Sequence, residues 1–364
     1  MVFLPKQNQY ILPKMDKIKH IFIYFLLLSS YSYAQIPPDY YNLANGLSGN
    51  SLKNALYLTI KDHQQYPYTA TSTDVWDILK ITDQDPNNSD NVLLIYTNWS
   101  TNGAQEYNNG NGWEREHVWA KVHGGFGTDP PAGTDVHHIR PINGNVNSAR
   151  NSRYFAHCTT PYLMGGTIPT GSFTSTTEYV WEPRDEDKGD VARMIFYMAV
   201  RYEGENGEPD LEIIDTIPSN NNEPSGVMAK LSDLLLWHLQ DTVDEKERKR
   251  NDIIYYQFQH NRNPFIDHPE FVNMIWGASA GIDNNLKLPT IKIYPNPTSD
   301  NTRIEIPSNM IGSSFKIFNS MKQEVWNAVF DSEMITLNLK NLPPGLYFLE
   351  AKGFNLVYKI SIIK

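Results

Sequence analysis

Cysteine is almost absent from this chain of 364 residues, in which Cys158 is the single thiol. One cysteine excludes an intrachain disulfide framework, so stability must come from a hydrophobic core and from any bound metal ion. We expect Cys158 itself to be a small, buried, apolar residue.

Basic residues are also scarce relative to acidic ones. The chain has 31 Lys and Arg against 41 Asp and Glu, which gives a formal net charge of −10. A protein of this charge repels polyanions overall. Binding to nucleic acid would therefore depend on a local cluster of arginines and on a bound cation, and we expect weak non-specific affinity.

Long apolar runs are limited to one segment near the N-terminus. Residues 21–28 read IFIYFLLL, follow Lys14, Lys17 and Lys19, and precede a short polar stretch that ends at Ala34. These are the three regions of a secretory signal peptide, and the run is short for a bilayer span, so a membrane anchor is the less favoured alternative. The sequence predicts a signal peptide at residues 1–34, a secreted protein, and no membrane span in the mature chain.

The remaining length predicts more than one domain. Apolar periodicity predicts helices at residues 51–59, from 73 onward, and at 190–202, 228–239 and 242–260, with a buried strand at 92–96. Residues 83–90 resemble a calcium loop only superficially, because Asn88 and Leu94 stand where glycine and glutamate are required. We interpret that segment as a turn.

The composition changes after Trp276. From residue 291 onward, short alternating β-rich runs separated by turn residues predict a small β-sandwich. The domain organisation that we predict is therefore a catalytic domain at residues 35–288 and an all-β domain at 289–364.

Metal-binding and proton-transferring side chains are concentrated in one window of the first domain. Three short motifs carry them: GWEREHVW at 112–119, DVHHIRP at 135–141 and NVNSAR at 145–150. Together they supply oxygen ligands for a hard cation, a base near neutral pH and guanidinium groups for phosphate. This set suits hydrolysis of a phosphodiester.

Each residue type suggests a role. His117 is predicted to be the general base, because an imidazole with a pKa near ~6.5 accepts a proton at neutral pH. Glu116 and Asn147 are predicted to hold one divalent cation, Mg²⁺ first, with Ca²⁺ and Mn²⁺ as alternatives. Neighbouring side chains of an extended strand face opposite ways, so Glu116 and His117 need a bulge or a strand end to serve one site.

Two arginines are predicted to contact phosphate oxygens. Arg150 lies three residues after Asn147 on a helix predicted to open after residues 143–144, and Arg140 precedes the turn. Taken singly, such residues are usually surface charges or caps. His137 and His138 suggest zinc, but no third ligand stands at a recognisable spacing, so a structural role for His137 beside Asp135 is weighed equally.

These motifs together resemble the bacterial endonuclease I family of His-Me finger (ββα-metal) nucleases. The resemblance rests on WxREHVW at 113–119, DxHxxxP at 135–141, NVNxxR at 145–150 and NRNPFIDHPE at 261–270, and it spans about residues 45–277. It implies an α+β domain, mainly helical, built around a ββα finger in which Glu116 and Asn147 hold one divalent ion and His117 activates water. It also implies 5′-phosphate products, and leaves Arg140, Arg150 and Arg153 as candidates for a phosphate-binding arginine.

The C-terminal segment is similar to the sorting domain of the type IX secretion system. The similarity rests on IYPNPT at 293–298, GLYF at 345–348 and KISIIK at 359–364. It implies that the secretion machinery is a partner and that the destination is extracellular or the cell surface.

The favoured hypothesis is a secreted, metal-dependent endonuclease of low sequence specificity that acts on DNA, with RNA as a further substrate. One alternative is a non-catalytic surface or adhesion protein that retains the nuclease scaffold. Another is a phosphodiesterase for small nucleotides or lipid-like esters. Incubation with plasmid in the presence and absence of EDTA separates the three.

Overall fold

We describe the protein from a computed structural model. The structure describes residues 36–107, 112–219, 225–277, 291–351 and 356–363. The predicted signal peptide at 1–34 and the predicted domain boundary between 288 and 289 lie outside these residues. The described part up to residue 277 is mixed α and β, and the part from residue 291 is β-rich.

Nine α-helices occur in the described part of residues 36–277. They are α1 (Gly49–Ile60), α2 (Val75–Thr82), α3 (Lys121–Gly124), α4 (Gly144–Arg150), α5 (Lys188–Arg201), α6 (Leu231–Gln240), α7 (Glu245–Ile253), α8 (Pro264–Asp267) and α9 (Glu270–Trp276). A π-helix, Ile254–Phe258, continues α7 without a break.

The helices form where apolar residues recur every three or four positions. In α1, Leu52, Leu56 and Ile60 share one face and are fully buried. Every residue of α5 is buried, and this helix packs against α1 and α6 within the largest hydrophobic cluster. Capping sets the starts: the Asp74 carboxylate accepts a hydrogen bond from the Asp77 backbone N–H and so begins α2.

The strands of the same part form three sheets. They are β1 (Gln84–Asp85), β2 (Asn88–Leu94), β3 (Trp99–Asn102), β4 (Trp113–His117), β5 (Ile139–Asn143), β6 (Tyr154–Phe155), β7 (Pro161–Met164), β8 (Ile168–Ser175), β9 (Val180–Glu182), β10 (Glu212–Ile214) and β11 (Val227–Lys230). The strand orders are β1-β2-β3, β4-β5 and β10-β11-β6-β9-β8-β7.

The strand pair β4-β5 leads directly into α4. The two strands are antiparallel, with Glu116 opposite Arg140 and Trp113 opposite Asn143. The Asn143 side chain accepts hydrogen bonds from the backbone N–H groups of Asn145 and Val146, which turns the chain from β5 into α4. The helix was predicted to open after residues 143–144 and begins one position earlier, at Gly144, and α4 packs against both strands.

The C-terminal part contains seven strands among its described residues. They are β12 (Lys292–Tyr294), β13 (Asn301–Glu305), β14 (Ser314–Asn319), β15 (Glu324–Val329), β16 (Met334–Asn338), β17 (Gly345–Ala351) and β18 (Leu356–Ile362). They form two antiparallel sheets, β12-β13-β16 and β15-β14-β17-β18, which share one hydrophobic cluster. This part is therefore β-rich, and its two sheets pack around shared apolar side chains.

Some predicted helices and strands are confirmed, and the boundaries of others differ. The helices predicted at 51–59 and 190–202 are confirmed as α1 and α5, and Cys158 is buried as expected. Residues 228–230, predicted as helix, belong to β11, because Ala229 pairs with Phe155 of β6 in the sheet. The buried strand predicted at 92–96 overlaps β2, which begins earlier, at Asn88, and ends at Leu94.

The helix predicted at 242–260 starts later, at α7. Asp244 and Glu247 form a reciprocal capping box there: each side chain accepts from the backbone N–H of the other. Across the described residues, no helix is both long and apolar enough to cross a bilayer.

Candidate active site

One cavity of about 790 Å³ receives side chains from β4 and α4. Glu116, His117, Asn147 and Arg150 all line it, so the structure brings four of the five predicted residues together. His117 is the last residue of β4. Because β4 ends at this residue, the side chains of Glu116 and His117 can both line the cavity, as the sequence analysis required.

His117 is held in one orientation. Its ring is buried, and Nε2 lies 3.0 Å from the carbonyl oxygen of Gly133. A carbonyl can only accept, so Nε2 carries the proton and Nδ1 keeps its lone pair. Burial, followed by the neighbouring His138, holds the pKa of His117 well below its usual range. The imidazole is therefore neutral at physiological pH, as a general base must be.

The carbonyl that fixes His117 comes from a tight turn. Gly133 sits in the 3₁₀ turn Ala132–Thr134, where a Cβ on this residue would lie 2.6 Å from the carbonyl oxygen of Gly127. Only glycine permits that approach of two backbone segments. The ring of Tyr68 stacks on the imidazole, with centroids 5.6 Å apart.

Glu116 is a buried carboxylate with two partners. Its Oε1 accepts a hydrogen bond of 2.9 Å from the Tyr96 hydroxyl and lies 3.2 Å from Nε of Arg150, in an ion pair rather than a directed hydrogen bond. Burial raises the pKa of Glu116, and Arg150 and Tyr96 oppose that rise. A further positive charge in the cavity would stabilise the ionised form of such a carboxylate.

Asn147 projects from α4 into the same cavity. Its Nδ2 donates a hydrogen bond of 2.7 Å to Oε2 of Glu114. The opposite end of the carboxamide, Oδ1, is the acceptor that this contact leaves for a cation. One carboxylate and one carboxamide oxygen are hard ligands, and they fit a divalent cation that retains several waters.

Arg150 lines the cavity from behind Glu116. Besides that ion pair, its guanidinium donates to the carbonyl oxygens of Val118 (2.6 Å) and Asn151 (2.9 Å), and it lies over the Phe155 ring. These contacts fasten Arg150 to the end of β4. They favour a role for Arg150 in positioning Glu116 rather than the predicted direct contact with phosphate.

The prediction that Arg140 contacts phosphate requires correction, because Arg140 does not line the cavity. It is buried, with its guanidinium paired to Asp83 and Asp190. Its two acid partners come from the end of α2 and from α5. Arg153 is also absent from the cavity wall: it donates to the Ala149 carbonyl and lies over the Tyr179 ring.

His137 and His138 have structural partners. His137 Nε2 lies 3.2 Å from the carbonyl oxygen of Asn261, and His138 Nε2 lies 2.9 Å from that of Ala132. Asp135 contacts His137 through the backbone N–H rather than the ring, and it also accepts from Tyr197. No group of three His, Cys, Asp or Glu side chains suited to a metal occurs in the part of the chain described here.

The buried His138 makes stability depend on pH. Burial lowers its pKa to about 4, whereas the unfolded value is ~6.5. The stability linked to its neutral form is complete above pH ~6.5 and is lost as the pH falls toward 4. Lowering the pH from 7.5 to 5.5 reduces the free energy of unfolding of the parent. In EDTA, we expect this reduction to be about 1.4 kcal/mol smaller in His138→Asn, which lacks the buried imidazole.

Urea unfolding at the two pH values measures that difference. His260→Asn, which changes an exposed histidine, is the matched control and should show the same pH dependence as the parent. Equal pH dependence in all three proteins would contradict the prediction.

Sequence reasoning missed several residues of the cavity wall. Glu114 lies two positions before Glu116 on the same face of β4, so strand alternation could have found it. Arg115 also lines the cavity, with its guanidinium 3.3 Å above the Tyr68 ring and 4.0 Å from the Trp76 ring. Tyr68 and Trp76 come from distant positions, and no motif pointed to them.

Comparison with known proteins identifies two regions of the chain. A family profile described as Endonuclease I matches residues 48–270, and one described as a secretion system C-terminal sorting domain matches residues 292–364. Proteins named extracellular ribonuclease from Bacillus subtilis (strain 168) and Bacillus amyloliquefaciens are each 49% identical to this chain over 237 residues. The aligned region is 65% of this chain and 78% of each relative.

The cavity and these matches define a nuclease, a hydrolase that is secreted or displayed at the cell surface. The chain belongs to the endonuclease I family, since the family match covers more than half of its length. A C-terminal sorting domain follows the nuclease region. The enzyme hypothesis is thereby favoured over the non-catalytic surface protein.

Proposed function

We propose that the protein is a metal-dependent endonuclease that hydrolyses phosphodiester bonds in extracellular DNA and RNA with low sequence specificity. The observation that carries the proposal is His117, whose Nε2 is fixed by a carbonyl while Nδ1 keeps its lone pair, and which lines a cavity together with Glu116 and Asn147. We further propose that β4, β5 and α4 form the ββα-metal finger expected from the sequence. Their order, antiparallel pairing and direct connection support it.

In the proposed reaction, His117 Nδ1 removes a proton from water. The oxygen of that water forms a bond to phosphorus as the bond from phosphorus to O3′ breaks. The departing O3′ oxygen takes a proton from a second water molecule, which leaves a 5′-phosphate and a 3′-hydroxyl. The contact with Gly133 keeps the ring in the productive tautomer and stabilises the imidazolium that forms, because Nε2–H continues to donate to the carbonyl.

The metal ligands that we propose are Glu116 and Asn147, with Mg²⁺ as the first choice and Ca²⁺ or Mn²⁺ as alternatives. A divalent cation held there supplies positive charge to the phosphate and its leaving oxygen. Arg150 and Tyr96 hold Oε1 of Glu116. Two ligands from the protein suit an ion that keeps much of its water shell.

Substrate contacts are proposed for Arg115 and Lys121, the other cationic side chains that line the cavity. The guanidinium of Arg115 is sandwiched between Tyr68 and Trp76, and its Nε has no hydrogen-bond partner among the described residues. The positive charges of Arg115 and Lys121 attract a phosphate to this part of the cavity wall. In a protein of net negative charge, such local contacts must replace a broad basic face.

The name of the Bacillus relatives favours RNA as a substrate, and it raises a second mechanism in which His117 deprotonates the ribose 2′-hydroxyl. The two mechanisms give different products. Attack by water cleaves DNA, RNA and 2′-O-methyl RNA and leaves 5′-phosphates, whereas attack by the 2′-hydroxyl spares DNA and 2′-O-methyl RNA and forms a cyclic phosphate.

End-group analysis of oligonucleotides of each type, with and without EDTA, tests the proposal. We expect cleavage of all three substrates, 5′-phosphate ends, and loss of activity in EDTA. Cleavage of RNA alone, or full activity in EDTA, would overturn it.

The metal ligands give a separate prediction. We expect Glu116→Ala and Asn147→Ala to raise the Mg²⁺ concentration required for half-maximal activity, with partial recovery of kcat at high Mg²⁺, because each variant removes one oxygen ligand. Asn145→Ala changes an exposed asparagine on the same helix, and it should leave the Mg²⁺ dependence unchanged. A lowered kcat at an unaltered Mg²⁺ requirement would count against the ligand assignment.

A further inference from the structure

Glu114 makes the shortest side-chain contact of Asn147. Its Oε2 lies 2.7 Å from Nδ2 of Asn147, although the two residues are 33 positions apart in the chain. The other oxygen, Oε1, lies against the start of α4, where a Cβ on Gly144 would be 2.9 Å from it. Glu114 therefore bridges β4 to the first turns of α4 at the edge of the cavity.

The chemistry of this contact fixes the direction of the carboxamide. The two ends of an asparagine side chain are almost identical in shape, so packing alone does not decide which end faces the cavity. A carboxylate accepts hydrogen bonds and repels a carbonyl oxygen. Nδ2 therefore faces Glu114, as the hydrogen bond of 2.7 Å shows, and the opposite end, Oδ1, is the one available to a cation.

We propose that Glu114 is a positioning residue, which orients the Asn147 carboxamide so that its oxygen, and not its nitrogen, serves the metal site. This inference rests on the proposed function, because it requires Asn147 to be a ligand. Glu114 acts through Asn147 and does not itself contact the ion. It supplies the orientation that α4 alone does not impose.

The alternative is that Glu114 is a direct ligand or a source of general negative charge. Both alternatives require the carboxylate itself. A positioning role requires only an acceptor for Nδ2, which glutamine also provides through its amide oxygen. The variants Glu114→Ala and Glu114→Gln therefore separate the roles.

The test measures binding of Mn²⁺ alone to the full chain, by calorimetry or by electron paramagnetic resonance, without nucleic acid. We expect Glu114→Ala to weaken Mn²⁺ binding by about 10–100-fold, as is typical when a residue that orients a metal ligand is removed. Glu114→Gln should remain close to the parent. Equal weakening by both variants, or no weakening by Glu114→Ala, would overturn the inference.

Reversing the hydrogen bond gives a second measurement. Asn147→Asp alone places two carboxylates against each other and should weaken Mn²⁺ binding. In the double variant Glu114→Gln with Asn147→Asp, the glutamine amide donates to one oxygen of the new aspartate and leaves the other for the ion, so binding should recover. A double variant that binds no better than Asn147→Asp would contradict the proposal.

Glu116→Ala separates this inference from the function on which it rests. If Glu116→Ala binds Mn²⁺ as the parent does, the proposed metal site itself is wrong. If Glu116→Ala loses binding while Glu114→Ala retains it, the site stands and only the positioning role fails. Thermal unfolding of every variant in EDTA identifies any change that comes from the fold.

Discussion

His117→Ala is expected to lower kcat by about 10²–10⁴-fold, the range that general-base catalysis contributes. The imidazole offers a neutral nitrogen, Nδ1, whose partner nitrogen is already fixed by the Gly133 carbonyl. Glu116, beside it, is engaged by Arg150 and Tyr96 and is assigned to the cation. Initial rates on plasmid and on oligonucleotides at saturating Mg²⁺ measure the effect.

Two controls separate loss of the base from loss of the fold. His117→Gln keeps a polar side chain of similar length without a nitrogen that is basic at neutral pH, so it should be impaired as strongly as His117→Ala. His157→Ala removes a histidine whose side chain is 66% exposed and which lies outside the cavity wall. It should retain the parent rate. Residual activity in His117→Gln near that of the parent would contradict the assignment of the base.

The sequence was sufficient to identify the centre of the cavity. Its motifs placed Glu116, His117 and Asn147 in one window, and the polar pair at 143–144 predicted where the helix opens. Strand periodicity also predicted that Glu116 and His117 would face opposite ways unless the strand ended near them. The structure has that strand end, because β4 ends at His117. These features are local, because each depends on residues that are close in the chain.

The arginines were harder to assign because their partners are distant in sequence. Arg140 and Arg150 look equivalent in the motifs. Their difference is that Arg140 meets Asp83, 57 residues earlier, whereas Arg150 meets Glu116. In the sequence, Asp83 is the first residue of the segment at 83–90 that resembles a calcium loop only superficially. Pairing between such segments is set by tertiary packing, which no local pattern records.

Backbone groups were also beyond prediction. The carbonyls of Gly133 and Ala132 hold His117 and His138, and any residue type carries a carbonyl. Glycine at position 133 was visible in the sequence, but its close approach to Gly127 becomes evident only in the folded chain. The tautomer of His117, the base that we propose, is therefore a property of the fold rather than of the motif.

Asp83→Ala is expected to lower the free energy of unfolding by about 3–5 kcal/mol, because removing one member of a buried ion pair leaves the others uncompensated. Asp83 is fully buried between Arg140 and Arg250. Burial alone would raise the pKa of Asp83, yet the two guanidiniums outweigh it and lower that pKa. Urea unfolding at pH 7 measures the loss.

We expect Asp83→Ala also to disturb the candidate active site through β5. Arg250, the other partner of Asp83, donates to the carbonyl oxygens of Val136 and of Ile139, the first residue of β5. Asp77→Ala is the matched control: it removes an aspartate on α2 that pairs with Lys80 at the surface, and such exposed pairs contribute about 0–1 kcal/mol. If Asp83→Ala were no more destabilising than Asp77→Ala, the buried charges would not hold β5 in place.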